Sequence, residues 1–228
     1  MQHLACIMDG NRRWAKQHGL LSWYGHKEGL DAAMRVITFA QQKKIPYVSL
    51  YLFALQNFKR SQEEIDHIFT MFTDQAKNFA QECVKHNILV RFIGDRSLFP
   101  QTLLPSIRLI EESTADCKSL TLNLLFCYAG QEEIIFACKQ IAQKVEKSEL
   151  SSDQITDSVF ENHLWSSPNP PPDLIIRTGK TQRLSSFLLY QAAYAELYFA
   201  DCLWPEIDYA ELEKAYIYFL NCKRNFGI

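Results

Sequence analysis

The feature that most constrains the fold is a regular alternation of short apolar runs with longer segments of helical periodicity. The runs ILVRFIG (88–94) and LTLNLLF (120–126) have strand length, and the second lacks the in–out alternation of a strand with one solvated face. The segment 61–87 repeats apolar residues at helical spacing and opens with Ser61 and Glu64, spaced as in a capping box. This alternation predicts an α/β fold with a central, mostly parallel sheet flanked by helices.

The chain is long enough for one substantial hydrophobic core, with 228 residues of which 47% are hydrophobic. No internal repeat or low-complexity tract divides it. Its one proline-rich segment, SSPNPPPD (166–173), lies too near the end to separate two domains. We therefore expect a single domain spanning residues 1–228.

Charge and cysteine content narrow the function classes. The net charge is −2, so no general basic field indicates a nucleic-acid partner. The seven cysteines form no CxxC pair and no cysteine–histidine cluster, which argues against a disulfide framework or a structural zinc and fits a reducing cytoplasm. No apolar stretch reaches the roughly 18 residues of a membrane span.

Polar segments follow three of the apolar runs: MDGNRR (8–13), QNFKR (56–60) and RTGKTQR (177–183). In open α/β sheets, ligands bind at the carboxyl ends of the strands, where such segments converge. The carboxylate of Asp9 suits a cation, and paired arginines such as Arg177 and Arg183 suit phosphate oxygens. The pattern predicts a site for a metal-bound phosphate ligand.

Each part of this site also has a simpler explanation. Residues 9–11 favour a turn for backbone reasons, Arg12 and Arg13 are compatible with a solvated helix start, and His26 with a core or capping histidine. Glu196 stands inside the apolar YAELYF and requires a cation or an arginine nearby if it is buried. No Walker loop, dinucleotide fingerprint or nucleophile elbow is present in the sequence.

Three segments together resemble the cis-prenyltransferases, most closely the undecaprenyl diphosphate synthases. They are HLACIMDGNRRWAKQHG with GHKEG, LYLFALQNFKR, and PDLIIRTGKTQRLSSFLLYQAAYAELYFADCLWPE, which follow the family's order and spacing from His3 to Pro205. The resemblance implies a Mg²⁺-dependent enzyme that condenses isopentenyl diphosphate onto farnesyl diphosphate with cis geometry. The product would be a long-chain polyprenyl diphosphate, such as undecaprenyl diphosphate, a lipid carrier precursor for cell-wall glycans.

The resemblance also implies an apolar tunnel that opens at the carboxyl ends of the strands, and a homodimer. The enzyme would be cytoplasmic, with peripheral contact to the membrane that receives its product.

Residue roles follow from the same resemblance. Asp9 would be catalytic and would hold Mg²⁺ together with Glu196, and Asn11 would be catalytic by orienting the acceptor of the proton that is lost. Substrate binding is assigned to Gly10, Arg12, Arg13, Trp14, His26, Asn57, Phe58, Arg60, Arg177, Arg183 and Ser185. Within that set, Arg177, Arg183 and Ser185 match the positions that grip the homoallylic diphosphate, and residues 57–60 match a flexible loop.

Apolar residues of the central runs are candidates for the tunnel wall, although an ordinary structural core explains each of them as well. They are Leu50, Leu52, Phe53, Phe72, Leu122, Leu124 and Phe126. Leu52 is bulkier than the residue usual at its position in the family, which predicts a narrower tunnel and a shorter product.

The sequence departs from the family pattern at several positions. Ser22 stands where an arginine contacting the allylic diphosphate is common, and Lys180 adds a positive charge near the homoallylic diphosphate. In the flexible loop, Ala54, Gln56 and Phe58 replace a hydroxyl, a carboxylate and an indole.

Near the C-terminus, Asn225 occupies the place of an arginine that reaches across the homodimer in the family. Arg224, one residue earlier, is a candidate substitute.

Two other functions remain to be distinguished from an active synthase. A non-catalytic scaffold subunit of the same family would be expected to lose the aspartate, the late glutamate and the arginines, whereas Asp9, Arg13, Arg177, Arg183 and Glu196 are all present. A simple phosphate-binding regulatory protein explains the arginines but not the whole ordered pattern. The residues favour the enzyme.

Overall fold

A six-stranded sheet forms the centre of the computed structural model, which describes residues 1–223. The strands are β1 (His3–Ile7), β2 (Tyr47–Ala54), β3 (Ile88–Ile93), β4 (Leu120–Tyr128), β5 (Leu174–Arg177) and β6 (Glu196–Phe199). Their order is β3-β4-β2-β1-β5-β6, and every neighbouring pair is parallel. The predicted α/β fold is confirmed, and β1 and β2 lie at the centre of the sheet.

Within residues 1–223, seven α-helices connect and cover the strands. They are α1 (Asn11–Gln17), α2 (Ser22–Gln42), α3 (Gln62–Lys85), α4 (Leu104–Ser113), α5 (Gly130–Glu146), α6 (Asp157–Glu161) and α7 (Tyr209–Asn221). Helix α2 packs against α3 and α7, and α3 packs against α4, so these four helices belong to one layer. Short 3-10 helices fill several connections, among them Leu55–Lys59 directly after β2.

Both faces of the sheet are buried, which explains why the strand sequences do not alternate. Leu4 and Cys6 of β1 enter the larger apolar cluster with residues of α2, α3, α4 and α7. Their neighbours Ala5 and Ile7 point to the other face and join a second cluster around Phe187. Successive side chains of a strand face opposite sides, so a strand covered twice must be apolar throughout.

A capping box has two hydrogen bonds, and one of them forms at the predicted position at the start of α3. The Ser61 hydroxyl accepts a hydrogen bond from the Glu64 backbone N–H at 3.4 Å, which caps the helix. The Glu64 side chain is directed to other partners, which belong to the candidate site described below.

The parallel arrangement places the carboxyl ends of β1, β2 and β5 at one edge of the sheet. Each end is followed by one of the polar segments predicted to converge. Among residues 1–223, no helix is long and apolar enough to cross a membrane. Arg224 and Asn225 lie outside the described residues.

Candidate active site

The centre of the candidate site is the carboxylate of Asp9, two residues after β1. Its Oδ1 accepts a hydrogen bond from Arg13 of α1 at 3.0 Å, and its Oδ2 accepts one from Arg177, the last residue of β5, at 2.9 Å. The Asp9 carbonyl is held as well, by the Thr178 hydroxyl at 2.7 Å and the Trp204 N–H at 3.0 Å. Two polar segments far apart in the chain therefore meet at one carboxylate.

Arg177 is the buried member of this group, with a side chain only 4% exposed. Besides Asp9, its guanidinium donates to the Ser185 hydroxyl at 2.8 Å and to the Arg183 carbonyl. Its Nε is buried without a hydrogen-bond partner among the described residues. A buried guanidinium requires a nearby negative charge, and Asp9 supplies it.

Gly179 allows the loop after β5 to approach this pair. Its φ is +88°, and a Cβ there would lie 2.4 Å from a guanidinium nitrogen of Arg13 and 2.9 Å from Cγ of Asp9. The Gly179 carbonyl accepts a hydrogen bond from Arg13 at 2.6 Å, which holds the loop against α1. Any side chain at this position would push the two loops apart.

A polar cavity of about 720 Å³ opens beside Asp9, along α1 and the start of α2. Its charged lining includes Arg12, Arg13, Lys16 and Arg60, against the single carboxylate of Asp9. This surplus of positive charge favours an anionic ligand, and guanidinium groups match phosphate oxygens in geometry as well as in charge.

A second, larger and mostly apolar cavity of about 1010 Å³ runs between the sheet and the helices α2 and α3. All seven residues predicted for the tunnel wall line it: Leu50, Leu52, Phe53, Phe72, Leu122, Leu124 and Phe126. The two cavities share lining residues, among them Asp9, Asn11, His26 and Arg60. The cavities therefore meet at the edge of the sheet where the strands have their carboxyl ends. The combination suits an amphiphile with an anionic head and a long apolar chain.

Most residues assigned to the site from the sequence are brought together. Those at the polar cavity are Asp9, Gly10, Asn11, Arg12, Arg13, His26 and Arg60, and those at the mouth of the apolar cavity include Asn57, Arg177, Arg183 and Ser185. The Asn57 side chain also accepts a hydrogen bond from the Ala54 N–H at 3.0 Å, which shapes the turn after β2.

Two aromatic residues assigned to substrate binding lie outside both cavity walls. Trp14 stacks on His18 with ring centroids 4.1 Å apart, one helical turn away on α1. Phe58 packs edge-to-face on Phe53 at 5.0 Å, and the Phe58 side chain is otherwise exposed. In this conformation both stabilise the local structure rather than line the site.

Glu196 does not meet Asp9 within this chain, contrary to the shared metal site implied for them. It is the first residue of β6 and pairs with Leu174, whereas Arg177, which contacts Asp9, is at the other end of β5. At a rise of about 3.3 Å per residue, the three-residue offset separates the two levels by about 10 Å along the sheet. Parallel register puts Glu196 near the amino edge, opposite the candidate site.

One residue of the site escaped the sequence interpretation. Glu64 is 7% exposed, and its carboxylate lies 3.1 Å from Arg60, 3.6 Å from His26 and 3.6 Å from Arg12. The contact with His26, followed by the charges of Arg60 and Arg12, holds the pKa of Glu64 below its usual value despite burial. In the sequence, the three-residue spacing between Ser61 and Glu64 indicated a helix cap. The four-residue spacing between Arg60 and Glu64 is the signal that also predicts their contact.

Buried thiols are not candidates for the chemistry. Burial raises the pKa of Cys6, Cys83 and Cys127, which keeps these thiols protonated and unreactive. The reactive groups of the site are therefore its carboxylate, its cations and the ligand itself.

The donor set fits a hard divalent cation only in part. Among residues 1–223, no three His, Cys, Asp or Glu side chains cluster to hold a metal ion. Asp9 has further lone pairs beyond those used by Arg13 and Arg177, and its side chain is 30% exposed toward the cavity. Mg²⁺ is commonly bound by one or two carboxylates together with substrate phosphates and water, and such a site needs no protein cage.

Comparisons with known proteins agree with this geometry. Residues 7–227 match the prenyltransferase family described as putative undecaprenyl diphosphate synthase. The chain belongs to this family. A ditrans,polycis-undecaprenyl-diphosphate synthase of Haemophilus influenzae, described as (2E,6E)-farnesyl-diphosphate specific, is 41% identical over 99% of this chain and 95% of its own length.

Two solved structures share the fold of this chain. Lavandulyl diphosphate synthase from Lavandula x intermedia, in complex with dimethylallyl diphosphate, matches with a TM-score of 0.96 and 34% identity over 100% of this chain and 98% of its own. A probable undecaprenyl diphosphate synthase from Campylobacter jejuni matches with a TM-score of 0.82 and 31% identity over 100% and 99%. The family fold is thus shared by enzymes named for different products.

Proposed function

We propose that this protein is a cis-prenyltransferase that condenses isopentenyl diphosphate successively onto farnesyl diphosphate and releases a long-chain polyprenyl diphosphate, undecaprenyl diphosphate or a close homologue. The observation that carries the proposal is the junction of the two cavities at Asp9. A cationic cavity there would hold a diphosphate, while the apolar cavity beside it receives a growing hydrocarbon chain.

The Haemophilus relative is described as (2E,6E)-farnesyl-diphosphate specific, which supports farnesyl diphosphate as the primer. The product would serve as a lipid carrier precursor for cell-wall glycan synthesis.

Mg²⁺ is the cofactor proposed for the reaction. Asp9 would hold it together with diphosphate oxygens, and the bound ion would neutralise charge that develops on the leaving diphosphate. Arg12 and Arg13 would bind the same leaving group from α1. These residues would thereby favour cleavage of the allylic C–O bond.

The chain's own residues would also position the second substrate. Arg177, fixed by Asp9 and Ser185, and Arg183 would bind the diphosphate of isopentenyl diphosphate at the mouth of the apolar cavity. The double bond of isopentenyl diphosphate would then attack the allylic carbon, with loss of a proton. Asn11 lines both cavities and is the candidate to orient the group that accepts this proton.

The fold alone does not determine the product, because lavandulyl diphosphate synthase has the same fold. The support for a long-chain product is the size of the apolar cavity. The apolar cavity of about 1010 Å³ is at the upper end of the range for small-molecule sites, about 300–1,000 Å³. Its wall extends along α3 as far as Glu82, near the end of that helix. A cavity of this depth favours a product longer than the primer.

A direct test is incorporation of radiolabelled isopentenyl diphosphate with farnesyl diphosphate as primer, with and without a metal chelator, and with products separated by chain length. We expect long-chain product that disappears when Mg²⁺ is removed. A folded protein that makes no product would support the scaffold function, and product formed equally well in chelator would contradict the role of Mg²⁺.

Removal of Arg183 is expected to weaken binding of isopentenyl diphosphate selectively. A hydrogen bond to a charged group contributes about 1.5–3 kcal/mol, so Arg183→Ala should raise KM for this substrate by about 10- to 100-fold. KM for farnesyl diphosphate should change little. Steady-state kinetics with each substrate varied in turn would measure both, with Arg108→Ala on the exposed surface of α4 as control. An unchanged KM for isopentenyl diphosphate would contradict the role of Arg183.

Restoring the family arginine at position 22 is expected to strengthen binding of the allylic substrate. Ser22 begins α2 and lines the polar cavity, where its hydroxyl is too short to replace a guanidinium. Ser22→Arg should lower KM for farnesyl diphosphate by about tenfold, equivalent to about 1.4 kcal/mol. Ser22→Gln, which is long but uncharged, provides the control. Equal effects of the two variants would show that length and not charge matters.

A homodimer is also proposed for this protein, as the family resemblance implies. Supporting features are the edge position of β6, which leaves one side of this strand available for pairing, and the exposed apolar side chains of Ile135 and Phe136 on α5. Glu196, at the start of that edge strand, would be near such an interface.

We propose a cytoplasmic location with peripheral membrane contact at product release. The support is at the rim of the polar cavity, where the side chains of Leu20 and Leu21 are exposed beside Lys16. Apolar tips flanked by positive charge suit the surface of an anionic bilayer.

A further inference from the structure

Glu64 is surrounded by the side chains of two arginines and a histidine, which come from three different parts of the chain. Arg12 belongs to α1, His26 to α2, and Arg60 to the turn before α3. Their nitrogen atoms lie 3.6, 3.6 and 3.1 Å from the Glu64 carboxylate oxygens. A single carboxylate thus connects the two helices and the turn that border the polar cavity.

The three partners line the polar cavity, whereas Glu64 lines neither cavity. Arg60 and His26 also contact each other, with 3.4 Å between Nη1 and Nε2, within hydrogen-bond distance. Glu64 Oε1 lies next to both of these atoms, so one carboxylate oxygen holds the guanidinium and the imidazole together. The carboxylate acts on any cavity ligand only through these side chains.

Burial makes the arrangement well defined. The Glu64 side chain is 8% exposed and that of His26 is 15% exposed, so neither moves freely in solvent. The Glu64 backbone is fixed in addition by its hydrogen bond to Ser61 at the first turn of α3. The pKa of Glu64 is lowered, which keeps the carboxylate ionised at neutral pH.

We propose that Glu64 is a positioning residue, which holds Arg60 and His26 in the orientation that the reacting diphosphate requires. This inference rests on the proposed function and adds to it a residue that does not touch the substrate. Arg60 ends the QNFKR segment, so the same contact ties that segment to the fixed start of α3. The Arg12 side chain is 58% exposed, more than that of His26 or Arg60, so Glu64 restricts the orientation of Arg12 least.

The proposal makes a distinctive kinetic prediction. Glu64→Gln keeps the shape of the side chain but removes the charge that orients Arg60 and His26. Loss of a residue that orients a metal ligand typically costs about 10- to 100-fold, and we expect a fall of similar size in kcat for a residue that orients two side chains at the diphosphate. KM for farnesyl diphosphate should stay the same or decrease, because the cavity gains net positive charge. Glu63→Gln, which makes the same change at the exposed neighbouring position of α3, should behave as wild type.

A double-mutant cycle separates positioning from general support of the fold. If Glu64 acts through Arg60 and His26, Glu64→Gln should lower kcat less than twofold in a chain that already carries Arg60→Ala and His26→Ala. An undiminished effect in that background would overturn the proposal. Melting temperatures of all variants are measured in parallel to control for stability. Glu64→Asp retains the charge and should have a kcat between those of Glu64→Gln and wild type.

A readout without turnover keeps this test separate from the proposed function. Binding of inorganic pyrophosphate by calorimetry reports the polar cavity directly. We expect the Kd or the binding enthalpy for pyrophosphate in Glu64→Gln to differ from the values in wild type and in Glu63→Gln. A wild-type protein that binds pyrophosphate but forms no polyprenyl product would contradict the proposed function alone. An active wild type with a kinetically silent Glu64→Gln variant would contradict the role of Glu64 alone.

Discussion

Replacement of Asp9 by asparagine is expected to lower kcat by about 10³-fold, the upper range for loss of one preorganised electrostatic group. The amide preserves the shape of the side chain but not the negative charge that lies between Arg13 and Arg177. Without that charge, the site would lose the carboxylate proposed to hold Mg²⁺ and the fixed orientation of both arginines. Product formation under saturating substrates and Mg²⁺ measures the effect.

The same variant should also be less stable. The Asp9 side chain is 30% exposed, but its partner Arg177 is buried. Loss of the carboxylate leaves that guanidinium without its counter-charge, which we expect to lower the free energy of unfolding by about 2 kcal/mol.

Chemical denaturation of Asp9→Asn and of Asp116→Asn provides the comparison. Asp116 is exposed in the turn before β4, at the opposite edge of the sheet. A wild-type rate in the Asp9 variant would contradict the proposed role. A variant that no longer folds would mean that Asp9 contributes far more to stability than its contacts indicate.

A phenylalanine at position 76 is expected to shorten the product by several isoprene units. Ala76 lies on α3 with 3% exposure and lines the apolar cavity. At a rise of about 1.5 Å per residue, it is about 21 Å along the helix from Gln62 at the site end. A ring there would fill the path of a long chain but leave the reacting groups untouched. The rate of the first condensation should therefore remain near wild type.

Chain-length separation of radiolabelled products would reveal the shift. Lys77→Phe adds the same ring on the exposed side of α3 and serves as the matched control. Overpacking of Ala76→Phe could cost about 1–3 kcal/mol, so melting temperatures accompany the product analysis. An unchanged product distribution from a folded Ala76→Phe variant would show that the growing chain does not pass this point.

Local patterns in the sequence were sufficient for the architecture. The strands at 88–94 and 120–126, the helix from Ser61 and the burial of both faces of the sheet were predicted, because periodicity and apolar character report directly on burial. The seven candidates for the tunnel wall are among the residues that line the apolar cavity. The convergence of the segments around Asp9, Arg60 and Arg177 followed from one rule, that parallel strands share their carboxyl edge.

Contacts between distant segments were decided only by the tertiary structure. Strand register placed Glu196 at the edge of the sheet opposite Asp9. The four-residue spacing already places Arg60 beside Glu64, but Arg12 and His26 reach the same carboxylate because α1, α2 and α3 begin next to one another. A sequence specifies which residues are buried through local periodicity, whereas the partner of a buried charge depends on the relative placement of whole elements, which no local pattern encodes.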